Sequence, residues 1–314
     1  MYIGVDLGGT NIAIGLVDEN SVLKYQKSLP TKVERGHEAI IKDIITLINE
    51  IAHEYGISKD EIKAIGVGIP GIAEPETGKV IYCVNLNWKD VPFKEVLERE
   101  LNIPVFIEND ATVAGLAEYK VGSMKHCNSG VFITLGTGIG GGIVMDGKVQ
   151  SGFNGVGSEI GHMIVGENYY DCNCGRNGCL ETFASSTALI NYTKKLIEEG
   201  LATSILEKVN NNIDKINGRV IFEAAQEGDK VGNMAVDRLV KYLAIGITNM
   251  VNIIDPEIFA LGGGLAGAGI LLLEKVQREV EKRKYMKMMP VGRIVLAELG
   301  NGAGIVGAAA LGMS

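Results

Sequence analysis

The apolar residues of this chain follow two alternating periods. Residues 3–25, "IGVDLGGTNIAIGLVDENSVLKY", form three short stretches rich in Ile, Val and Leu, parted by a Gly-Gly-Thr turn and a polar turn. That pattern predicts three strands joined by tight turns. Further on, Ile40, Ile41, Ile44, Ile48 and Ile51 recur at helical spacing up to Gly56, which predicts an amphipathic helix closed by glycine. Strand "AIGVGIPG", helix "DVPFKEVLERELN" and strand "PVFIEND" come next. From residue 131 the opening pattern returns in "VFITLGTGIGGGIVMDGKVQSG": strand, Gly/Thr turn, strand, polar turn, strand. A long helical run, "NMAVDRLVKYLAIGITNMVNIID", then leads to strand "IFALGGG", helix "GILLLEKVQREVEKRK", strand "RIVLAEL" and a closing helix "AGIVGAAALGM". Strands alternating with helices predict an α/β fold with largely parallel sheets behind each opening hairpin. The return of the hairpin predicts an internal duplication into two lobes.

The two glycine turns are the first candidate chemistry. Neither is a P-loop, because strand-like "IAIGLV" follows the first turn where a P-loop requires a helix. The second contains G-x-G-x-x-G at 136, 138 and 141, but "GGIVMDG" continues it as a hairpin, which excludes the dinucleotide fingerprint. A glycine turn between strands can still offer backbone N–H groups to phosphate, and Thr10 and Asn11 add side-chain donors. One such loop is equally an ordinary tight hairpin; a matching loop in each lobe favours phosphate binding.

Composition narrows the class. The chain has 314 residues, 42 of them glycine, with 46% hydrophobic and 22% charged residues. Such a chain can build real cores, and its glycine share is roughly twice the usual one of about 7%. The formal charge of −8 and the lack of a basic run argue against a nucleic-acid partner. The opening carries no signal-peptide pattern, and the most apolar helical run is too short and too polar to span a bilayer. Five cysteines, an odd number, fit a reducing cytoplasm better than a disulfide framework.

Three of those cysteines stand together in "CNCGRNGC" at 172, 174 and 179, with His162 ten residues before the first. Three thiolates and one imidazole make a closed tetrahedral set that suits Zn²⁺. With four protein ligands the ion has no open position, so it is expected to be structural, and the chemistry must lie elsewhere. The stretch "FIEND" sits at the carboxyl end of an expected strand, where α/β sheets gather ligands. Asp110 can take a proton from a hydroxyl and Asn109 can hydrogen-bond a polyol. Asp110 can equally serve only as the N-cap of the helix that follows.

Taken together, "DLGGTN", "GIPG", "FIENDA", "LGTGIGGG", "GSEIGHM" and "CNCGRNGCLE" resemble the ROK family of sugar kinases and sugar-responsive repressors, most closely its bacterial-type ATP-dependent glucokinases. The resemblance covers essentially the whole chain. It implies two duplicated actin-like/hexokinase (ribonuclease H-like) lobes with a cleft between them. The expected division is a lobe over 1–112 and a second over 113–299 containing the zinc loop, with a helix near 300–314 returning to the first. The implied reaction is ATP-dependent phosphorylation of a hexose, with Asp110 as general base on the 6-hydroxyl. Asn109, Glu159, His162 and Glu181 would hold the other hydroxyls. Asp6 would position Mg²⁺ through water. Gly8, Gly9, Thr10 and Asn11 would face the phosphates from one lobe, Thr137 and Gly138 from the other, and Gly262, Gly263 and Gly264 would let backbone approach adenosine. Close helix–strand packing explains each glycine about as well. Glucose is favoured, but kinases for mannose, fructose, N-acetylglucosamine and N-acetylmannosamine share most of these motifs, and some relatives use polyphosphate. Repressors of the family add an N-terminal helix-turn-helix, for which a hairpin beginning at residue 3 leaves no room. The resemblance further implies a homodimer or homotetramer.

Overall fold

Strand β1 (Tyr2–Leu7) pairs antiparallel with β2 (Asn11–Val17), and β2 antiparallel with β3 (Leu23–Pro30), as the alternating stretches of the first 30 residues require. Helix α1 (Gly36–Tyr55) buries Ile40, Ile41, Ile44, Ile48 and Ile51 and stops at Gly56, whose φ of 81° is left-handed. Strand β4 (Ala64–Ile69) adds parallel to β1. A small antiparallel sheet follows, made of β5 (Ile72–Ala73), β6 (Val80–Cys83) and β7 (Trp88–Val91). Helix α2 (Phe93–Leu101), strand β8 (Val105–Asn109), parallel to β4, and helix α3 (Asp110–Val121) complete the first α/β stretch. The sheet order is β3-β2-β1-β4-β8. The computed structural model describes residues 1–313.

The second half repeats the plan. Strands β9 (Ser129–Leu135), β10 (Ile139–Met145) and β11 (Lys148–Val149) form the returning hairpin. Helices α4 (Glu181–Ala184), α5 (Ser186–Glu198), α6 (Ile205–Lys208), α7 (Gly218–Gln226) and α8 (Lys230–Ile254) follow. Strand β12 (Ile258–Gly262), helix α9 (Ile270–Arg283), strand β13 (Arg293–Leu296) and helix α10 (Ala303–Leu311) end the chain. The second large sheet has the order β11-β10-β9-β12-β13. In order of appearance each large sheet therefore reads third-second-first-fourth-fifth, the same topology twice, as a duplicated lobe predicts. Among the described residues no helix is long and apolar enough to cross a membrane.

By packing, the chain forms two units. Unit 1 holds Met1–Phe132, Gly142–Ser158 and Glu298–Ser314; unit 2 holds Ile133–Gly141 and Glu159–Ala297. In unit 1, α10 lies directly on β1 and α3. Glycine makes that approach possible: a Cβ at Gly4 of β1 would sit 1.9 Å from the Ile305 carbonyl oxygen. In unit 2, α8 is the central helix, packed by α5, α7 and α9.

A buried carboxylate fastens the last segment to unit 1. Glu118 of α3 is 1% exposed. Its Oε1 accepts from the backbone N–H groups of Glu298 and Leu299 at 2.9 and 2.8 Å, and its Oε2 from the N–H and hydroxyl of Ser123, both at 2.8 Å. A buried carboxyl group is tolerable only when its oxygens are hydrogen-bonded in this way. In Glu118→Gln the amide nitrogen cannot accept from Ser123 N–H, so a loss of about 1–3 kcal/mol of stability is expected. Urea unfolding followed by circular dichroism measures it, and an unchanged midpoint would show that this carboxylate is not needed.

Candidate functional site

Unit 1 carries a turn and a strand end with candidate residues. Gly8, Gly9 and Thr10 lie between β1 and β2, and Gly8 N–H donates to the Asn11 carbonyl at 2.9 Å. Thr31 braces the turn: its hydroxyl donates to the Gly8 carbonyl at 2.7 Å, and its N–H to that of Thr10 at 2.9 Å. Thr10 and Asn11 are exposed, so a hydroxyl and an amide face outward. Asp6 of β1 is half-buried next to this turn, and burial pushes its carboxyl above the usual range. Helix α10 comes close: a Cβ at Gly304 would lie 2.3 Å from Asp6 Oδ2, so any larger residue would displace the carboxylate.

At the end of β8 three polar residues divide the work. Asn109 is the N-cap of α3; its Oδ1 accepts from Ala111 and Thr112 N–H at 2.9 and 3.4 Å. Its amide nitrogen donates to the Gly71 carbonyl at 3.4 Å, and an amide carries a second N–H for a ligand. The cap is thus Asn109, while Asp110 begins the helix, exposed, with Oδ1 accepting from Ala111 N–H at 2.8 Å. Glu108 is half-buried; burial raises its carboxyl, and it takes hydrogen bonds from Ser151 Oγ and, at 2.8 Å, from Asn109 N–H.

Unit 2 carries the second turn, the cysteine loop and a cavity. Gly136 N–H donates to the Gly138 carbonyl at 3.0 Å, and Thr137 is exposed at the tip. Thr187 of α5 holds the tip through its hydroxyl, 2.8 Å from the Thr137 carbonyl. Glu181, first residue of α4, reaches the same turn: its Oε2 accepts from Ile139 N–H at 2.9 Å. A Cβ at Gly138 would lie 2.1 Å from that Oε2 and would push the Glu181 carboxylate off the turn.

The ligand atoms of His162, Cys172, Cys174 and Cys179 all lie within 4.8 Å of one another. Cys174 and Cys179 sulfurs are 3.6 Å apart, and Cys172 Sγ is 3.7 Å from His162 Nδ1. Tetrahedral Zn²⁺ with Zn–S near 2.3 Å sets its sulfur ligands roughly 3.8 Å apart, so the quartet fits that ion. The loop is shaped by Gly175 and Gly178, at φ 84° and 89°, and by Arg176, whose guanidinium donates to the His162 carbonyl at 3.1 Å. Arg176 also brings the Cys174 thiol down to about 6, whereas burial pushes that of Cys179 up to about 12. His162 turns Nδ1 toward Cys172 and Nε2 toward Glu159, whose Oε2 is 4.0 Å away. Glu181 Oε1 lies 3.9 Å from Cys172 Sγ. The loop thus gathers His162, Glu159 and Glu181 around one cluster.

Arg238 of α8, with no signal in the sequence, underpins this loop. Its guanidinium lies 4.5, 4.7, 5.5 and 5.8 Å from the rings of Tyr192, Phe183, Tyr242 and Tyr169, an aromatic box that suits a delocalised cation. It donates to Asn168 Oδ1 at 2.8 Å, and the Asn168 amide donates to the Thr182 carbonyl at 2.7 Å, next to Glu181.

The three glycines at 262–264, at the end of β12, take different places. Gly262 is buried as the last strand residue. Gly263, at φ 80°, presses on Leu135, with a would-be Cβ 2.6 Å from its nitrogen. Gly264 alone lines a cavity of about 410 Å³, with Arg219, Phe222, Glu223, Gln226 and Leu265 among its walls. The α7 residues of that wall were not singled out by the sequence, because one helix face carrying Arg, Glu and Gln reads as solvated surface. Trp88, the single tryptophan, is core, packed against Phe93 at 5.3 Å.

The profile of the ROK family matches residues 2–314. The chain is 34% identical over 310 residues to a glucokinase of Halalkalibacterium halodurans, covering 98% of this chain and 93% of that one. It is 32% identical over 314 residues to a xylose repressor of Caldicellulosiruptor bescii, covering 99% of this chain and 78% of the repressor. Among solved structures it is similar to a ROK family glucokinase from Streptomyces griseus in complex with glucose and AMPPNP, with 33% identity, a TM-score of 0.78 and coverage of 99% and 98%.

Proposed function

The chain belongs to the ROK family, and from that premise we propose that it transfers the γ-phosphoryl group of ATP to the 6-hydroxyl of D-glucose, with Asp110 as general base. That it is an ATP-dependent hexose kinase follows from its glucokinase relatives and from the glucokinase structure it resembles. The observation that carries the finer reading is the junction of β8 and α3: capping by Asn109 leaves the Asp110 carboxylate exposed at the helix start.

Sugar hydroxyls are poor nucleophiles, and a positioned carboxylate that accepts the departing proton helps the attack. Mg²⁺-ATP supplies the phosphoryl group and neutralises the charge that develops on it. Asn109 of unit 1 and Glu159, His162 and Glu181 of unit 2 would hold the remaining hydroxyls. The exposed turns Gly8–Asn11 and Thr137–Gly138 would take the phosphates, and Asp6 would orient Mg²⁺ through water. The cavity beside Gly264 would take the adenosine. His162, Cys172, Cys174 and Cys179 would hold a structural Zn²⁺, which does no chemistry on the sugar.

The 32% identity to a xylose repressor supports a second reading, a sugar-binding regulator. Coupled ADP release over a panel of glucose, mannose, fructose, N-acetylglucosamine and N-acetylmannosamine separates the two. Glucose is expected to give the highest kcat/KM. A different preferred hexose would correct the substrate, and sugar binding by calorimetry without ADP release from any sugar would favour the regulator.

A further inference from the structure

Glu108 does none of the work assigned above, yet it is a carboxyl group drawn away from water one residue before Asn109. Its two oxygens look in different directions. Oε1 accepts from Asn109 N–H at 2.8 Å, and Oε2 meets the hydroxyl of Ser151, 43 residues on. Ser151 opens a tight loop, closed by Gly157 N–H on the Ser151 carbonyl at 2.7 Å. The loop is seated a second time at Gly155, where φ is 70° and a Cβ would lie 2.4 Å from the Ala73 carbonyl oxygen. Ala73 stands two residues after Gly71, whose carbonyl takes the Asn109 amide. Both seats of the loop therefore flank the same asparagine, and all of these groups belong to unit 1.

Phe153 lies between the two seats and is 96% exposed, and Val156 of the same loop is 47% exposed. A phenyl ring that packs on nothing contributes nothing to the core, and a loop fixed at both ends holds it out at a defined place. An aromatic face is a suitable surface for the apolar C–H face of a pyranose, since ligand sites pair apolar walls with a few placed polar groups.

We infer that Glu108 is a positioning residue for the hexose: through Ser151 it ties the 151–157 loop to the strand end carrying Asn109 and Asp110, and so sets Phe153 as the apolar wall of the sugar subsite. This rests on the reading that the hexose binds at Asn109 and Asp110. The carboxyl of Glu108 neither touches the sugar nor exchanges a proton with it.

The test is steady-state kinetics with hexose and ATP varied separately. Glu108→Ala, Ser151→Ala and Phe153→Ala are each expected to raise the KM for hexose roughly tenfold, the worth of one charge-assisted hydrogen bond or one lost apolar contact. The KM for ATP should stay within twofold. Glu108→Gln should recover most of the affinity, because its amide can donate to Ser151 Oγ while its oxygen still accepts from Asn109 N–H. In a double-mutant cycle Glu108→Ala with Ser151→Ala should be no worse than Glu108→Ala alone. Ser151 lies on a loop, so its variant remains informative if Glu108→Ala fails to fold. Hexose KM within twofold of wild type for both Ser151→Ala and Phe153→Ala would overturn the inference, as would an equal rise in both KM values. Neither result touches the assignment of Asp110, which stands or falls on its own variant.

Discussion

Asp110→Asn is expected to lower kcat by about 10²–10⁴ while hexose affinity stays within a few-fold of wild type. The asparagine keeps the size of the side chain, and its oxygen can still accept from Ala111 N–H, the 2.8 Å bond made by Asp110 Oδ1. What it loses is the ability to take a proton from the attacking hydroxyl. A loss of stability would normally confuse such a result, because an acidic residue at a helix start is often its cap. Here Oδ1 of Asn109 caps α3 through Ala111 and Thr112. The variant should therefore keep its cap, and turnover is compared on protein shown by circular dichroism to be folded. The complementary change, Asn109→Ala, removes the cap and should cost about 1 kcal/mol of stability, so the two neighbours are separable by experiment. Near-normal turnover by folded Asp110→Asn would remove Asp110 from the role of general base.

The contrast between these neighbours shows what the sequence could and could not say. "FIEND" announces polar residues at a strand end, but one string of letters cannot tell which of Asn109 and Asp110 caps the helix; that depends on where the strand stops. The repeated hairpins were legible because their signal is local: apolar alternation broken by Gly-Gly-Thr or Gly-Thr-Gly. So was the cysteine loop, whose three thiols fall within eight residues. The small sheet of β5, β6 and β7 was not, since its strands β6 and β7 follow a buried-exposed-exposed-buried pattern and lack period-two alternation. Nor were Glu118, Arg238 and Glu108. Their partners Leu299, Asn168 and Ser151 lie 181, 70 and 43 residues away, and only the folded chain brings each pair together. The glycine triplet at 262–264 shows the same limit. The letters are alike, but one residue ends a strand, one presses on Leu135 and one borders the cavity.

The second large effect concerns the metal. Removing zinc, by a chelator or by Cys174→Ala, is expected to weaken hexose binding roughly 10- to 100-fold, with ATP affinity changed much less. The argument runs through His162. With Nδ1 on the proposed ion beside Cys172, the other nitrogen would carry the proton, and that nitrogen faces Glu159 at 4.0 Å. A metal-bound imidazole thus has one tautomer and one orientation, ready to donate. Glu181 follows Cys179 by two residues and is aimed by Ile139 N–H, so slack in the loop would reach it as well. Losing one oriented hydrogen bond to a charged group is worth about 1.5–3 kcal/mol, which is the stated range in affinity. Arg238 limits the damage, because its aromatic box and its bond to Asn168 tie the segment to α8 and α4 without the ion. Unit 2 should accordingly remain folded by circular dichroism, and calorimetry with glucose and with a non-hydrolysable ATP analogue can be run on the same sample. A folded, zinc-free protein with normal glucose affinity would sever the link between the cysteine loop and the sugar. Equal loss of both affinities would mean that the ion maintains unit 2 as a whole, with no particular claim on His162.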